Sequence, residues 1–253
     1  MRNISKNMLK KKNRSSSSLT ITTIKSLPKD LLVEIVASVA SHSSIDFHNA
    51  KKSCKDLLDA GEDNYVYRRI SLDRFPFIQW RRSPTTDKLL LFLKRCKENQ
   101  NAESLYREGL RECLGNGNMK EGLKSLDMAA KEGHKEAKYV YGMMLLCSSL
   151  CEDEKSVELG LGHLRFLKES KCLVRTRDKV KELVRQMWTN HGMFSRENRK
   201  LRLCPFKNTC KGWKLKEGVW TLCDDEDDDD IVINSSCEYC RWENELKFFY
   251  GLM

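Results

Sequence analysis

The stretch "SLPKDLLVEIV", residues 26–36, opens the first strongly patterned part of this 253-residue chain. Ser26 or Leu27 can cap a helix here, and Pro28 fits its first turn, where a backbone N–H needs no helical partner. Large apolar residues then recur every three or four positions, which predicts a helix with one wide apolar face. Smaller apolar residues occupy the opposite side: Val33, Ala37 and Ala40. We therefore expect one side of the helix to pack inside its own module and the other to meet a partner.

The module that this helix begins is short. A second helix is predicted from Ser44, and a third short element contains Val66 and Tyr67, so the pattern ends near residue 72. A unit of this size buries little apolar surface and is marginally stable alone. Apolar surface left over on its first helix is typical of a protein–protein contact.

Three segments of the module resemble the F-box family. "LPKDLLVEI" (27–35) is similar to its opening, "CKDLL" (54–58) to its centre and "VYRRISL" (66–72) to its close. The chain departs from the family at "ASVA" (37–40), where leucine or proline is common, and lacks a Trp or Arg before "CKDLL".

The resemblance implies that the module binds a Skp-type adaptor and, through it, the cullin of a RING ubiquitin ligase. It implies an adaptor-facing ridge, closed by two residues from the third element: Leu27, Pro28, Leu31, Leu32 and Ile35, with Val66 and Tyr67. The alternative is that these residues only pack a three-helix bundle.

A repeat with a period near 35 residues follows a linker. Four residues of one helix recur 35 positions later, and residues of the next helix recur 38 positions later, as Gly122 does in Gly160. Two helices per unit at this period indicate a solenoid. The first set is Ala102, Leu105, Tyr106 and Leu110, matched by Ala137, Val140, Tyr141 and Leu145.

The segment "LDMAAKEGHKEAKYVYG" (126–142) resembles a Sel-type repeat, a relative of the tetratricopeptide repeats. This resemblance implies a concave face that binds a protein; the alternative is that two units only connect the ends of the chain. The stretch 173–192 is predicted to be a capping helix with an apolar face formed by Val180, Leu183, Val184, Met187 and Trp188.

Cysteine pairs bracket the C-terminal region. Cys204 and Cys210 lie in "CPFKNTC", and Cys237 and Cys240 lie in "CEYC". We expect reduced thiols, because no sequence feature indicates export. Four thiolates are a ligand set for one structural zinc ion, with Cys223 and His191 as substitute ligands. Tryptophans are expected to pack over this site: Trp213, Trp220 and Trp242.

Other classes of function fit the sequence less well. A Gly-x-Gly in "GLGHLRF" lies inside a helical pattern, and no phosphate loop, nucleophile elbow or catalytic Cys–His signature appears, which argues against an enzyme. The formal charge of +10 and basic runs such as "KKKNR" are compatible with nucleic-acid binding, but "DDEDDDD" opposes it. No apolar run is long enough to span a membrane.

Together these patterns predict an all-α, non-catalytic protein similar to a group of small plant F-box proteins. It would bind a Skp-type adaptor and an unidentified target protein, and be located in the nucleus, the cytoplasm or both. The alternatives are a basic zinc-knuckle protein that binds nucleic acid and a scaffold without a ligase. The predicted organisation is a basic Ser-rich tail (1–25), the F-box (26–72), a linker (73–86), the repeats (87–200) and a Cys-rich module (201–253).

Overall fold

The computed structural model of the chain describes residues 24–75, 87–147, 154–186, 203–204, 206, 210 and 237–252, and all regular secondary structure in these ranges is helical. The all-α prediction is therefore confirmed. The helices are α1 (Lys29–His42), α2 (Ser44–Ser53), α3 (Lys55–Ala60), α4 (Asn64–Arg69), α5 (Asp87–Glu98), α6 (Ala102–Leu110), α7 (Met119–Lys131), α8 (Lys135–Leu146), α9 (Glu154–Glu169), α10 (Leu173–Gln186) and α11 (Glu238–Leu252). None of those in the described ranges is long and apolar enough to cross a membrane.

The N-terminal module is built around α1. Pro28 occupies the N-cap position and its side chain forms no capping hydrogen bond, whereas the sequence predicts Ser26 or Leu27 at this position. Ser43 caps α2 by accepting a hydrogen bond from the Asp46 N–H at 3.1 Å. The second predicted element divides into α2 and α3 because the backbone is extended at Cys54. One side of α1 is buried against α2, α3 and α4: Leu32, Val33, Val36, Ala37 and Ala40.

Helix α5 completes this first core. Leu93 and Cys96 are buried in the same cluster as the inner side of α1, although the sequence places residues 87 onward in the repeat region. The aromatic ring of Phe92 in α5 lies 6.1 Å from that of Tyr67 in α4. The boundary of the N-terminal core in the structure thus differs from the boundary suggested by sequence patterns.

The repeat region consists of two antiparallel helix pairs, α6 with α7 and α8 with α9. Helix α6 continues as a π-helical turn, Arg111–Asn116, and ends at Gly117, whose φ of 74° requires the left-handed conformation that glycine adopts readily. Gly133, with φ of 90°, turns the chain from α7 towards α8. Both glycines lie in the connections between consecutive helices of the repeats.

Each helix pair approaches closely at a pair of glycines. A Cβ atom added at Gly122 would lie 2.2 Å from the Cys113 sulphur and 3.0 Å from the carbonyl oxygen of Gly109. In the second pair, a Cβ atom added at Gly142 would lie 3.1 Å from the carbonyl oxygen of Gly160. The two backbones touch at these points, so larger residues cannot be accommodated without moving a helix.

Helix α8 lies at the centre of the second core. It contacts α7, α9, α10 and α11, and nine of its twelve residues are buried. Val180 and Val184 of α10 face this core as predicted for a capping helix, while Met187 and Trp188 are outside the described residues. Helix α11 comes from the predicted Cys-rich module, yet it fills the same core with four buried side chains: Trp242, Leu246, Phe249 and Tyr250.

We predict that Gly122→Ala lowers the free energy of unfolding by about 2–4 kcal/mol, because the added methyl group overlaps Cys113 in a packed helix crossing. The matched control is Gly162→Ala in α9, where a Cβ atom meets nothing within 4 Å. This control should stabilise the chain by about 0.5–1 kcal/mol, since alanine favours a helix more than glycine does. Denaturant unfolding of both variants followed by circular dichroism measures the two changes, and equal effects would contradict the proposed close crossing.

Candidate partner-binding ridge and cysteine cluster

The outer side of the first helix carries an exposed apolar strip, which we call the α1 ridge and define as Leu27, Pro28, Leu31 and Ile35. Leu31 and Ile35 are one helical turn apart and remain 50% and 45% exposed. Leu27, just before the helix, is 37% exposed. Because the inner side of α1 is already covered by its own module, the ridge is apolar surface that no residue in the described ranges buries.

Three residues of the predicted adaptor surface point inward instead. Leu32, Val66 and Tyr67 are buried in the first core, and we correct their assignment accordingly. Leu32 lies about 100° around the helix from Leu31, so one side chain can point into the core while the other stays exposed. The Tyr67 ring lies 6.3 Å from the Phe47 ring and 3.9 Å from the Arg95 guanidinium carbon, so it joins α4 to α2 and α5.

Two further exposed apolar residues in this module were not singled out from the sequence. Ile45 in α2 and Leu58 in α3 are 48% and 42% exposed. Leu57 packs against the core while its neighbour Leu58 faces outward. A helix of six residues such as α3 is too short for periodicity to show which leucine of an adjacent pair lies inside.

A buried asparagine joins the N-terminal module to the repeats. The Asn101 side-chain amide donates to the carbonyl oxygens of Tyr67, Arg68 and Ile70 at 3.1, 3.1 and 2.9 Å. Its carbonyl oxygen accepts from the Ser104 N–H at 3.1 Å and caps α6. Since the last carbonyl groups of a helix lack partners within it, Asn101 satisfies the end of α4 and the start of α6 at once.

An arginine forms the second joint. The Arg107 guanidinium donates to the carbonyl oxygens of Phe75 and Leu72 at 2.6 and 2.9 Å, and it is paired with Glu103 on the same helix. Glu103 also contacts His134 Nε2 at 2.7 Å. His134 Nδ1 accepts from the Ala137 N–H at 3.1 Å, so Nε2 is the nitrogen that donates to Glu103. These bonds connect residues 72–75, α6 and the start of α8.

The charge environment of Glu103 favours its ionised form. Burial alone would raise the pKa of this carboxyl, but the hydrogen bond from His134 and the positive charge of Arg107 outweigh burial. Together they hold the pKa of Glu103 at about 2. The position of the α1 ridge relative to the repeats therefore depends on charged groups as well as on apolar packing.

The C-terminal cysteines converge on one point. The sulphur atoms of Cys204, Cys210, Cys237 and Cys240 all lie within 4.8 Å of one another. The Cys204–Cys237 distance is 3.7 Å and the Cys210–Cys240 distance is 3.5 Å, and all four are free thiols. Cys237 immediately precedes α11 and Cys240 lies in its first turn, so the cluster sits at the positive end of this helix.

Polar contacts fix α11 on the repeats beside this cluster. The Arg165 guanidinium in α9 donates to both carboxylate oxygens of Glu238, at 2.6 and 3.0 Å. This contact is the main cause of the lowered pKa of Glu238. Farther along the helix, the Tyr139 hydroxyl donates to the buried Glu245 carboxylate at 2.6 Å. Burial raises the pKa of both Tyr139 and Glu245.

Of the aromatic residues expected to pack near the cysteines, Trp242 is buried and its indole N–H donates to Glu238 at 3.3 Å. Several other predicted features lie outside the described residues: Trp213, Trp220, Cys223, His191, the basic runs at 10–14, 79–83 and 196–202, and the acidic run at 224–230.

Two architectural features define the class of protein: a helical module with an exposed ridge, and a solenoid of helix pairs closed by a C-terminal helix. Comparison with known proteins agrees with this class. A family model described as plant tetratricopeptide repeats matches residues 72–185. No solved structure matches the chain.

Two relatives from Arabidopsis thaliana give the family. The F-box protein At2g35280 is 32% identical over 161 residues, which cover 64% of this chain and 94% of the relative. A second protein, named as a candidate F-box protein, At1g67623, is 28% identical over 241 residues, which cover 92% of this chain and 78% of the relative. The chain belongs to the plant F-box proteins that carry tetratricopeptide-like repeats.

We predict that Asn101→Ala lowers the free energy of unfolding by about 2–4 kcal/mol, because it removes a helix cap and leaves buried carbonyl groups without a donor. Asn101→Asp keeps the capping oxygen but directs a negative carboxylate at the same carbonyl oxygens. It should therefore lower the free energy of unfolding by at least as much. The control Asn116→Ala removes an exposed amide that bonds only Glu112 and should change stability by less than about 0.5 kcal/mol. Denaturant titration measures the free energy of unfolding of all three variants. An Asn101→Ala variant as stable as the wild type would contradict the role of Asn101 in joining the module to the repeats.

We predict that Glu103→Gln removes an acid-sensitive contribution to stability. Since the folded pKa of about 2 lies below the ordinary value of 4.5, the unfolded chain takes up the proton first as pH falls. The contribution, about 2–3 kcal/mol at neutral pH, is therefore complete above pH 4.5 and lost between about 4.5 and 2.

Unfolding free energies of wild type and Glu103→Gln across this pH range measure the effect, and the gap between them should close towards pH 2. Glu121→Gln, at an exposed position in α7, is the matched control and should track the wild type. A gap that stays constant with pH would show that Glu103 acts through packing alone.

Proposed function

We propose that the chain is a non-catalytic substrate-recognition subunit of a Skp–cullin–F-box ubiquitin ligase. In this function the N-terminal module binds a Skp-type adaptor, and the helical repeats with α11 bind the target protein. Ubiquitin transfer belongs to other subunits, and this chain contributes by holding the target close to them.

The α1 ridge is the observation that carries this proposal. Leu31 and Ile35 stay about half exposed although Leu32 and Val36, on the same helix, are buried. Leu31 and Ile35 lie one helical turn apart and form a contiguous apolar patch with Leu27, and such patches are typical of protein–protein contacts. Buried apolar anchors at the centre of an interface contribute most of its binding energy, and Leu31 lies between Leu27 and Ile35 in such a position.

The rigid joint between module and repeats supports the same function. Asn101 and Arg107 bond directly to backbone carbonyls of residues 67–75, so the repeats have a fixed orientation relative to the α1 ridge. A ligase subunit that works by proximity needs this property, because a target held on a freely swinging domain would spend little time at the reactive centre.

For the target, the exposed side of α9 is the surface that we favour. Leu159 and Phe166, two turns apart on the same side of this helix, are 47% and 49% exposed. The Lys138 ammonium lies 5.0 Å from the centre of the Phe166 ring, which places a positive charge beside the apolar strip. A target segment with apolar anchors flanked by acidic residues would complement this surface.

We predict that Leu31→Asp combined with Ile35→Asp reduces retention of a co-expressed plant Skp-type adaptor at least tenfold, because two charges would be buried without partners in the interface. The matched control is Leu91→Asp, since Leu91 is 68% exposed on α5, the helix that completes the first core. Quantitative co-purification measures retention, and circular dichroism checks that all chains stay helical. If the wild-type chain retains no adaptor, or if both variants lose it equally, the proposal is wrong.

A further inference from the structure

We propose that the thiols of Cys204, Cys210, Cys237 and Cys240 together bind one structural zinc ion, which fastens α11 to the preceding segment. The proposed ligase function makes no use of these four residues, and the cluster is formed on the repeat core, away from the first core that carries the α1 ridge.

The geometry fits a single tetrahedral ion. With zinc–sulphur bonds of about 2.3 Å, the sulphur atoms of a regular tetrahedron lie about 3.8 Å apart. The Cys204–Cys237 and Cys210–Cys240 sulphur atoms lie 3.7 and 3.5 Å apart, and all four sulphur atoms lie within 4.8 Å of one another. The significant feature is that all four sulphur atoms converge, because two segments that only pass near each other would bring together at most two cysteines.

Other uses of clustered cysteines fit less well. A disulfide joins two sulphur atoms at about 2.05 Å and gives no reason for a second pair to gather around them. A four-iron cluster attaches each cysteine to a different iron atom, so its cysteine sulphur atoms lie farther apart than these four do. Tetrahedral thiolate sites of one ion are typical of zinc.

The cysteine cluster lies at the N-terminal end of α11. Cys237 immediately precedes α11 and Cys240 lies in its first turn, where unpaired backbone N–H groups and the helix dipole favour a negatively charged site. The Cys210 N–H bonds to the Phe206 carbonyl oxygen at 3.2 Å, which brings these two residues together. A zinc ion with four thiolates carries net negative charge, so it suits the positive end of a helix.

The ion would supply stability that side-chain packing lacks. In the described part of the segment 203–210, Leu203 packs on the core and Cys204 is buried, but Phe206 is 59% exposed. A metal site contributes its binding energy directly to folding, so an ion held by Cys204 and Cys210 would add to the contacts of Leu203 and Cys204. Because α11 covers α8 with Trp242 and Phe249, zinc would indirectly seal the end of the repeats.

The test is the metal content of the full chain, expressed with ordinary trace metals and purified under reducing conditions. We expect about one zinc per wild-type chain by mass spectrometry of the elements, and at least a tenfold lower content in Cys237→Ser combined with Cys240→Ser. The matched control is Cys54→Ser combined with Cys172→Ser, at two partly exposed thiols outside the cluster, which should keep the metal.

A measurement on the wild type guards against misfolding of the variants. Removal of zinc with a chelator should lower the midpoint of thermal unfolding, and added zinc should restore it. Cobalt added to the stripped chain should give the visible absorption of tetrahedral thiolate coordination. A wild-type chain that contains no zinc and takes up no cobalt would overturn the proposal, as would iron in place of zinc or two disulfides found by alkylation. Adaptor retention, measured in parallel, is independent of this result.

Discussion

Burial of α8 on every side is the constraint on which the repeat region depends. A helix with nine buried residues out of twelve cannot be covered by one partner, so α7, α9, α10 and α11 must all pack against it. The C-terminal helix therefore returns across a long stretch of chain to complete the core. Its return places Cys237 and Cys240 beside Cys204 and Cys210, and the cysteine cluster is thus a consequence of how α8 is covered.

Polar groups inside this core make the return of α11 specific. Tyr139 and Glu245 bond at 2.6 Å, and the Arg177 guanidinium lies 3.7 Å from the same carboxylate. Burying such groups is costly unless they meet each other, so a helix docked in another register would leave them without partners. Apolar residues bind α11 to the core, and the polar contacts among Tyr139, Glu245 and Arg177 determine its position there.

The N-terminal module differs from the repeat region, because its first helix is apolar on two sides. Apart from the core-facing side that α2, α3 and α4 cover, the ridge of Leu31 and Ile35 stays open. Asn101 and Arg107 donate hydrogen bonds to backbone carbonyl oxygens of the module and so set the orientation of this ridge relative to the repeats. In the described part of the chain, the module and the repeats are therefore joined through hydrogen bonds to backbone atoms.

Much of this molecule is determined by local sequence. Periodicity at three and four residues defines most of its helices, the 35-residue repeat predicts two helix pairs, and Gly117 and Gly133 mark turns that need positive φ. The helices and turns depend on neighbours within a few positions and the repeat is visible as a recurring pattern along the chain, so these features can be predicted without knowing the fold.

Tertiary structure decided which surfaces meet. The sequence grouped Leu31 with Leu32, but only packing against α2, α3 and α4 assigns one to the outside and the other to the core. It assigned α5 to the repeats and α11 to a separate module, while the structure places them in the first and second cores. The physical reason is that an amphipathic pattern specifies that one face of a helix must be covered, and not which distant helix covers it.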